Sequence, residues 1–197
     1  KKEDIEKFTR IYIVACGTAY HAGLVGKNLI ESLTRIPVIA EVASEFRYMD
    51  PVIDEHTLLI VVSQSGETAD TLEALKIAKR NGARVMAVVN AVGSSIAREA
   101  DDIFYILAGP EISVASTKAF TAQVTAMELI AYSMALELGK ISKEEFEKIK
   151  EGLYELPSKI SDVLHKSHLE KELAEKYASV ANVFFIGRGL DYVISKE

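Results

Sequence analysis

The chain has no tryptophan, a single cysteine and no apolar run approaching the roughly 18 residues that cross a bilayer as a helix. One thiol, Cys16, excludes an intramolecular disulfide and any multi-thiolate metal site. The longest stretch poor in charge, residues 124–138, is interrupted by Glu128 and Glu137. The amino end, Lys1-Lys2-Glu3-Asp4, is charged and is not followed by the apolar segment of a secretory signal. No basic patch stands out either: 23 Lys and Arg are interleaved with 29 Asp and Glu, for a net charge of −6. Nucleic acid and anionic membranes are therefore not expected partners. The dinucleotide fingerprint G-x-G-x-x-G and the G-K-[ST] phosphate loop are both missing, and no two histidines stand at i,i+4. These absences lead us to expect a cytoplasmic protein with no cofactor and no metal. The chain also lacks an initiator methionine and stops at Ile194-Ser195-Lys196-Glu197 as a helix begins, so we read it as a piece of a larger protein.

What is present is an ordinary globular composition, 49% hydrophobic and 26% charged, in 197 residues: room for one domain and the start of another. Five short apolar runs, at 11–15, 38–42, 58–62, 84–89 and 103–107, alternate with stretches of helical periodicity. Runs apolar on both faces belong to parallel strands buried under helices. The expected fold is α/β, a three-layer α/β/α sandwich with a five-stranded parallel sheet of flavodoxin-like type. Asn81-Gly82 stands where a helix should end in the left-handed conformation. Residues 1–140 form this first domain, and residues 141–180 are linking helices: a charged one over 143–155, one opened by Pro157 and one over 169–178. Residues 181–197 begin a second copy. The strand-like run 183–186 and the following Gly187-Arg188-Gly189 echo Ile13-Val14-Ala15-Cys16-Gly17-Thr18.

The strongest chemical signal follows the third run: Ser63-Gln64-Ser65-Gly66-Glu67-Thr68, leading straight into a helix. A strand that ends in hydroxyls and an amide around one glycine presents uncharged donors at a helix N-terminus, where free N–H groups and the dipole favour an anion. Ser65 with Glu67 or Thr68 would suffice for helix capping alone. Capping uses one or two of Ser63, Gln64, Ser65 and Thr68; a phosphate site uses all four. Two further loops, Cys16-Gly17-Thr18 and residues 109–118, end neighbouring runs in the same way, and three such loops at one sheet edge make a small-molecule pocket. Cys16 reads as a small apolar filler, His21 as a helix-surface residue, and His165 and His168 as exposed. Asp101-Asp102 reads as a solvated turn, not a metal pair.

Cys16-Gly17-Thr18, the stretch Ser63 to Thr71, Glu45-Phe46-Arg47-Tyr48, and residues 114–121 together resemble the sugar isomerase (SIS) domain family. Within it they are similar to the tandem units that convert fructose 6-phosphate and ammonia into glucosamine 6-phosphate, behind a glutaminase domain. The resemblance implies that Ser63, Gln64, Ser65 and Thr68 hold the sugar phosphate with Thr18 beside them, and that Val114 and Ser116 touch the sugar. At Ala19 many relatives carry a serine, so only the Ala19 N–H is expected to serve. The resemblance also implies a homodimer. It places the isomerisation base, a ring-opening lysine and a borrowed histidine beyond Glu197, so the chain is expected to bind sugar phosphate without turning it over. A stand-alone regulatory module that senses a phosphosugar is the alternative; such sensors sit beside a DNA-binding unit, and no basic helix-turn-helix pattern occurs here. A plain dimerisation module, with the helix at 116–138 packed on its twin, is compatible with the first reading.

Overall fold

The computed structural model describes residues 1–113 and 116–197. Five strands, β1 (Arg10–Ala15), β2 (Val38–Val42), β3 (Thr57–Ser63), β4 (Arg84–Val89) and β5 (Asp102–Tyr105), lie parallel in the order β2-β1-β3-β4-β5. The helices are α1 (Lys2–Ile5), α2 (Thr18–Thr34), α3 (Ala43–Phe46), α4 (Ala69–Arg80), α5 (Ser95–Glu99), α6 (Lys118–Glu137), α7 (Lys143–His165), α8 (His168–Tyr177) and α9 (Leu190–Ser195). The five-stranded parallel sheet expected from the apolar runs is present, each strand within one residue of its run except β5. That strand stops two residues early, and Leu107 just beyond it takes a left-handed φ of 51°.

Strand alternation sorts the core into two layers. Ile11, Ile13, Leu58, Ile60 and Val62 face α2 and α6, where Ile30, Met127 and Ile130 meet them. Tyr12, Val14, Leu59 and Val61 face the other way, onto Phe46 of α3, Leu75 of α4 and Ile96 of α5. Both faces of the central strands are thus dry, which is why they read as unbroken apolar runs. Phe46, from the Glu45-Phe46-Arg47-Tyr48 string, is fully buried and meets Tyr12 edge to face with ring centroids 5.5 Å apart. The helix suggested for packing on a twin buries much of its apolar stripe inside the fold: Ala126, Met127 and Ala131 of α6 belong to the layer shared with α2, and Ala119 and Ala135 are buried as well.

Beyond α6 the chain is less well packed. Helix α7 starts at a capping box, with Glu145 N–H donating to Ser142 Oγ at 3.1 Å and Ser142 N–H to Glu145 Oε2 at 2.7 Å. Pro157 does not open a new helix: α7 runs through it to His165, tolerating one missing amide donor in an exposed helix. The run 183–186 forms no strand. Its side chains are exposed, and the sheet, bounded by β2 and β5, does not include it. Helix α9 docks on α2 and buries Val193. Among the described residues no helix is long and apolar enough to cross a membrane.

Two glycines predict opposite responses to the same change. A Cβ on Gly26 of α2 would lie 2.5 Å from the sulfur of Met127 and 3.2 Å from its Cβ, whereas one on Gly152 of α7 would meet nothing. Gly26→Ala is expected to cost about 1–3 kcal/mol by overpacking, and Gly152→Ala to add about 0.5–1 kcal/mol through helix propensity. Urea denaturation of both variants checks the signs.

Candidate functional site

The strand order reverses at the β1–β3 pair. From β1 the chain turns into α2 on one face, and from β3 it turns into α4 on the other, so the two turns part and leave a crevice at the carboxyl ends of the strands. Gly17 at φ 54° and Gly66 at φ 66° make the turns possible. Gly66 is needed for space as well: a Cβ there would fall 2.0 Å from Ser94 Oγ.

The loop after β3 is organised by its own polar groups. The Gly66 N–H donates to the buried Ser63 hydroxyl at 3.0 Å, and that hydroxyl lies 3.2 Å from Thr68 Oγ1. The Glu67 N–H donates to Ser65 Oγ at 3.2 Å. Thr68 is the N-cap of α4, yet no side chain caps that helix. Capping, the rival explanation for these residues, therefore accounts for none of them. The outer side of the loop is fastened to the β4–α5 segment: Gln64 O accepts from the Asn90 and Ala91 N–H groups, each at 3.3 Å, and Gly66 O accepts from Ile96 at 3.0 Å.

Six of the seven predicted side chains, Thr18, Ser63, Gln64, Ser65, Thr68 and Ser116, line one cleft of about 200 Å³. Cys16, Ala19 and Val62 form its floor with Gln123. The seventh, Val114, lies outside the described residues. Cys16 is partly buried against the layer around Phe46, as expected of a filler. Larger hollows exist, including one of about 340 Å³ under α1 and α6 lined by Phe8, Met86 and Phe104. That one also carries Lys1, Asp4, Arg84, Asp102 and Glu137 but opens at the amino ends of the strands, whereas ligands of open parallel sheets bind at the carboxyl ends, so topology favours the smaller cleft.

Among the described residues, none of the ten side chains that line the cleft is a carboxylate or a basic group. Asp70, in the first turn of α4, is held 3.2 Å from the Arg47 guanidinium. Glu67 accepts the Ser95 N–H at 2.7 Å, and that bond, with the Ser95 side chain, holds its carboxyl below the usual carboxylate range. Asp101 lies exposed in the bend before β5 and Asp102 begins the strand; their side chains point apart, to Lys79 at 2.9 Å and Arg84 at 2.7 Å. Among the described residues no three His, Cys, Asp or Glu side chains gather as a metal site.

Two features were not foreseen. Gln123 of α6 is 1% exposed and brings an amide to the cleft; the available signal was one amide in an otherwise apolar helical stripe. Glu197 reaches back to the cleft mouth, accepting the Thr18 hydroxyl at 2.8 Å and meeting His21 Nδ1 at 2.5 Å. His21 is thus a partly buried anchor for a residue far along the chain, not a free surface histidine, and no local pattern announces such a contact.

An open parallel α/β sheet with a polar loop at a helix N-terminus defines the class of fold, and comparison gives the family of this chain. It belongs to the SIS domain family, whose model matches residues 4–133. It is 58% identical over 196 residues to the glutamine–fructose-6-phosphate aminotransferase (isomerizing) of Clostridium tetani, covering 100% of this chain and 32% of that protein. It is 55% identical over the same length to the enzyme of that name from Caldanaerobacter subterraneus, again covering 100% and 32%. The chain thus spans about a third of the length of the curated relatives it matches. Among solved structures, the C-terminal domain of glucosamine-fructose-6-phosphate aminotransferase from Francisella tularensis superposes with a TM-score of 0.93 at 38% identity. That match covers 98% of this chain and 55% of the other.

The fit between Gly66 and Ser94 makes a prediction. Gly66→Ala combines a left-handed φ with overlap on Ser94 and should cost about 2 kcal/mol or more. The Ser94 hydroxyl is buried without a hydrogen-bond partner, so Ser94→Ala is expected to be neutral or stabilising by up to about 1 kcal/mol. In the double variant part of the Gly66→Ala loss should return; denaturation curves showing strict additivity would contradict the contact.

Proposed function

We propose that this chain is the phosphosugar-holding part of the isomerase domain of a glutamine–fructose-6-phosphate aminotransferase (isomerizing). In the whole protein it would work in the cytoplasm as a homodimer joined to a glutaminase domain, forming glucosamine 6-phosphate from fructose 6-phosphate. The single observation that carries this reading is the loop from Ser63 to Thr68. It brings hydroxyls and an amide together at an uncapped helix N-terminus, in a cleft without charged side chains. Such a site suits a phosphate monoester, because its oxygens accept hydrogen bonds and the N–H groups of α4 supply the partial positive charge.

Each predicted residue has a part. Ser63, Gln64, Ser65 and Thr68 would donate to the phosphate. In the present arrangement Ser63 and Thr68 hydrogen-bond each other, so a ligand needs only hydroxyl rotations to be received. Thr18 would stand beside them at the phosphate, and Ser116 and Val114 would touch the sugar. The Thr18 hydroxyl here donates to Glu197, a bond it would exchange for one to the phosphate. An aldose–ketose isomerisation needs a positioned base to carry the proton between carbons. The cleft-lining residues include none, and the nearby Glu197 carboxylate is engaged by Thr18 and His21. Binding without turnover is the expectation for these 197 residues. The domain reading continues as a proposal: residues 1–140 are the first unit, 141–180 link, and 181–197 open a second. Exposure of Val183, Phe184, Phe185 and Ile186 supports it, since four consecutive apolar side chains in water suit a strand awaiting neighbours.

Calorimetric titration tests the reading. Fructose 6-phosphate and glucosamine 6-phosphate should bind and unphosphorylated fructose should not. Ser63→Ala combined with Thr68→Ala should weaken the phosphorylated ligands by about tenfold or more. Equal binding of fructose, or an undiminished double variant, would refute the phosphate cradle; turnover by the chain alone would refute the missing base.

A further inference from the structure

Glu67 is the one charged residue in a loop that the proposed function asks to receive a dianion. A carboxylate turned into that cleft would repel the ligand. It is instead turned outward, across to α5, where Ser95 N–H donates to its Oε1 at 2.7 Å. Arg98 stands behind this contact, bonding the Ser95 hydroxyl at 3.0 Å and adding its charge to the pull on the carboxylate. Glu67 therefore caps a helix other than the one its own loop begins.

This bond joins the two backbone anchors already described, Gln64 O to Asn90 and Ala91, and Gly66 O to Ile96. All three pull the loop toward β4 and α5. In a planar trans peptide the C=O and the following N–H point in opposite directions. Anchoring the carbonyls of Gln64 and Gly66 on the β4 side turns the following N–H groups away from β4: that of Ser65 is left for the cleft, and that of Glu67 is given to Ser65 Oγ, which fixes this side chain. We propose that Glu67 is a positioning residue of the phosphate cradle: its carboxylate, by capping α5, removes the loop's negative charge from the cleft and fixes the direction of the donors. This rests on the phosphate reading above. Of the three anchors it is the only one made by a side chain.

The test compares Glu67→Ala with Glu67→Gln, whose amide oxygen can still accept the Ser95 N–H. Affinities for fructose 6-phosphate and inorganic phosphate are measured alongside melting temperature and amide exchange at Ser95 and Ile96 in the ligand-free chain. Glu67→Ala should bind both phosphates about tenfold more weakly, with faster exchange at the two amides. Glu67→Gln should stay within about threefold of the wild type in affinity. A lowered melting temperature with unchanged affinity, or equal damage from both variants, would overturn the positioning role. If the wild-type chain binds neither ligand, the phosphate reading fails by itself. Exchange then decides the anchor: unchanged rates at Ser95 and Ile96 in Glu67→Ala overturn it, and faster rates uphold it.

Discussion

The divergence of the chain at the β1–β3 pair is the constraint on which the rest depends. Right-handed crossovers send the helix after β1 to one face of the sheet and the helix after β3 to the other. A crevice at their carboxyl ends follows from connectivity alone. The core makes this arrangement rigid: β1 and β3 are buried along almost their whole length, and Gly26 lets α2 approach α6 closely enough to touch Met127. Loops on such a frame can be short, and the six residues from Ser63 to Thr68 suffice to build a cradle.

On the proposed reading the cradle would handle charge without a cationic side chain among its described lining residues. The 197 residues carry a net charge of −6, so no long-range attraction of an anion is expected and the site would work by local dipoles. Hydroxyls and amides line the cleft, while the Asp70 and Glu67 carboxylates are led elsewhere. Asp70 goes to Arg47 and Glu67 to the Ser95 N–H, while Glu197 stays at the cleft mouth on Thr18 and His21. Neutral donors in a partly closed cleft gain strength from the lower local dielectric and avoid the desolvation cost of a buried lysine or arginine.

Much of this was legible in the sequence, for identifiable reasons. Doubly buried strands leave unbroken apolar runs, so the central sheet could be read directly. The loop at 63–68 was legible because four polar residues around one glycine exceed what a helix cap requires. What could not be read depended on distance in the chain. Ser94 under Gly66, the Ser95 amide under Glu67, and Glu197 against Thr18 and His21 are long-range contacts with no local pattern. The run 183–186 is strand-like in sequence yet forms no strand here, because an apolar, β-branched segment becomes a strand only beside a partner and it is not part of the five-stranded sheet. Pro157 was misread because an exposed helix can absorb one missing donor.

The most direct measurement is an amide chemical-shift titration of the chain with fructose 6-phosphate. Phosphate held at the N-terminus of α4 should move the resonances of Ser65, Gly66, Thr68, Ala69 and Asp70 most, saturably, and fructose should leave them in place. Shifts centred instead on Phe8, Met86 and Phe104, at the opposite end of the strands, would contradict a cradle at the β1–β3 divergence, as would a folded chain whose loop amides do not respond.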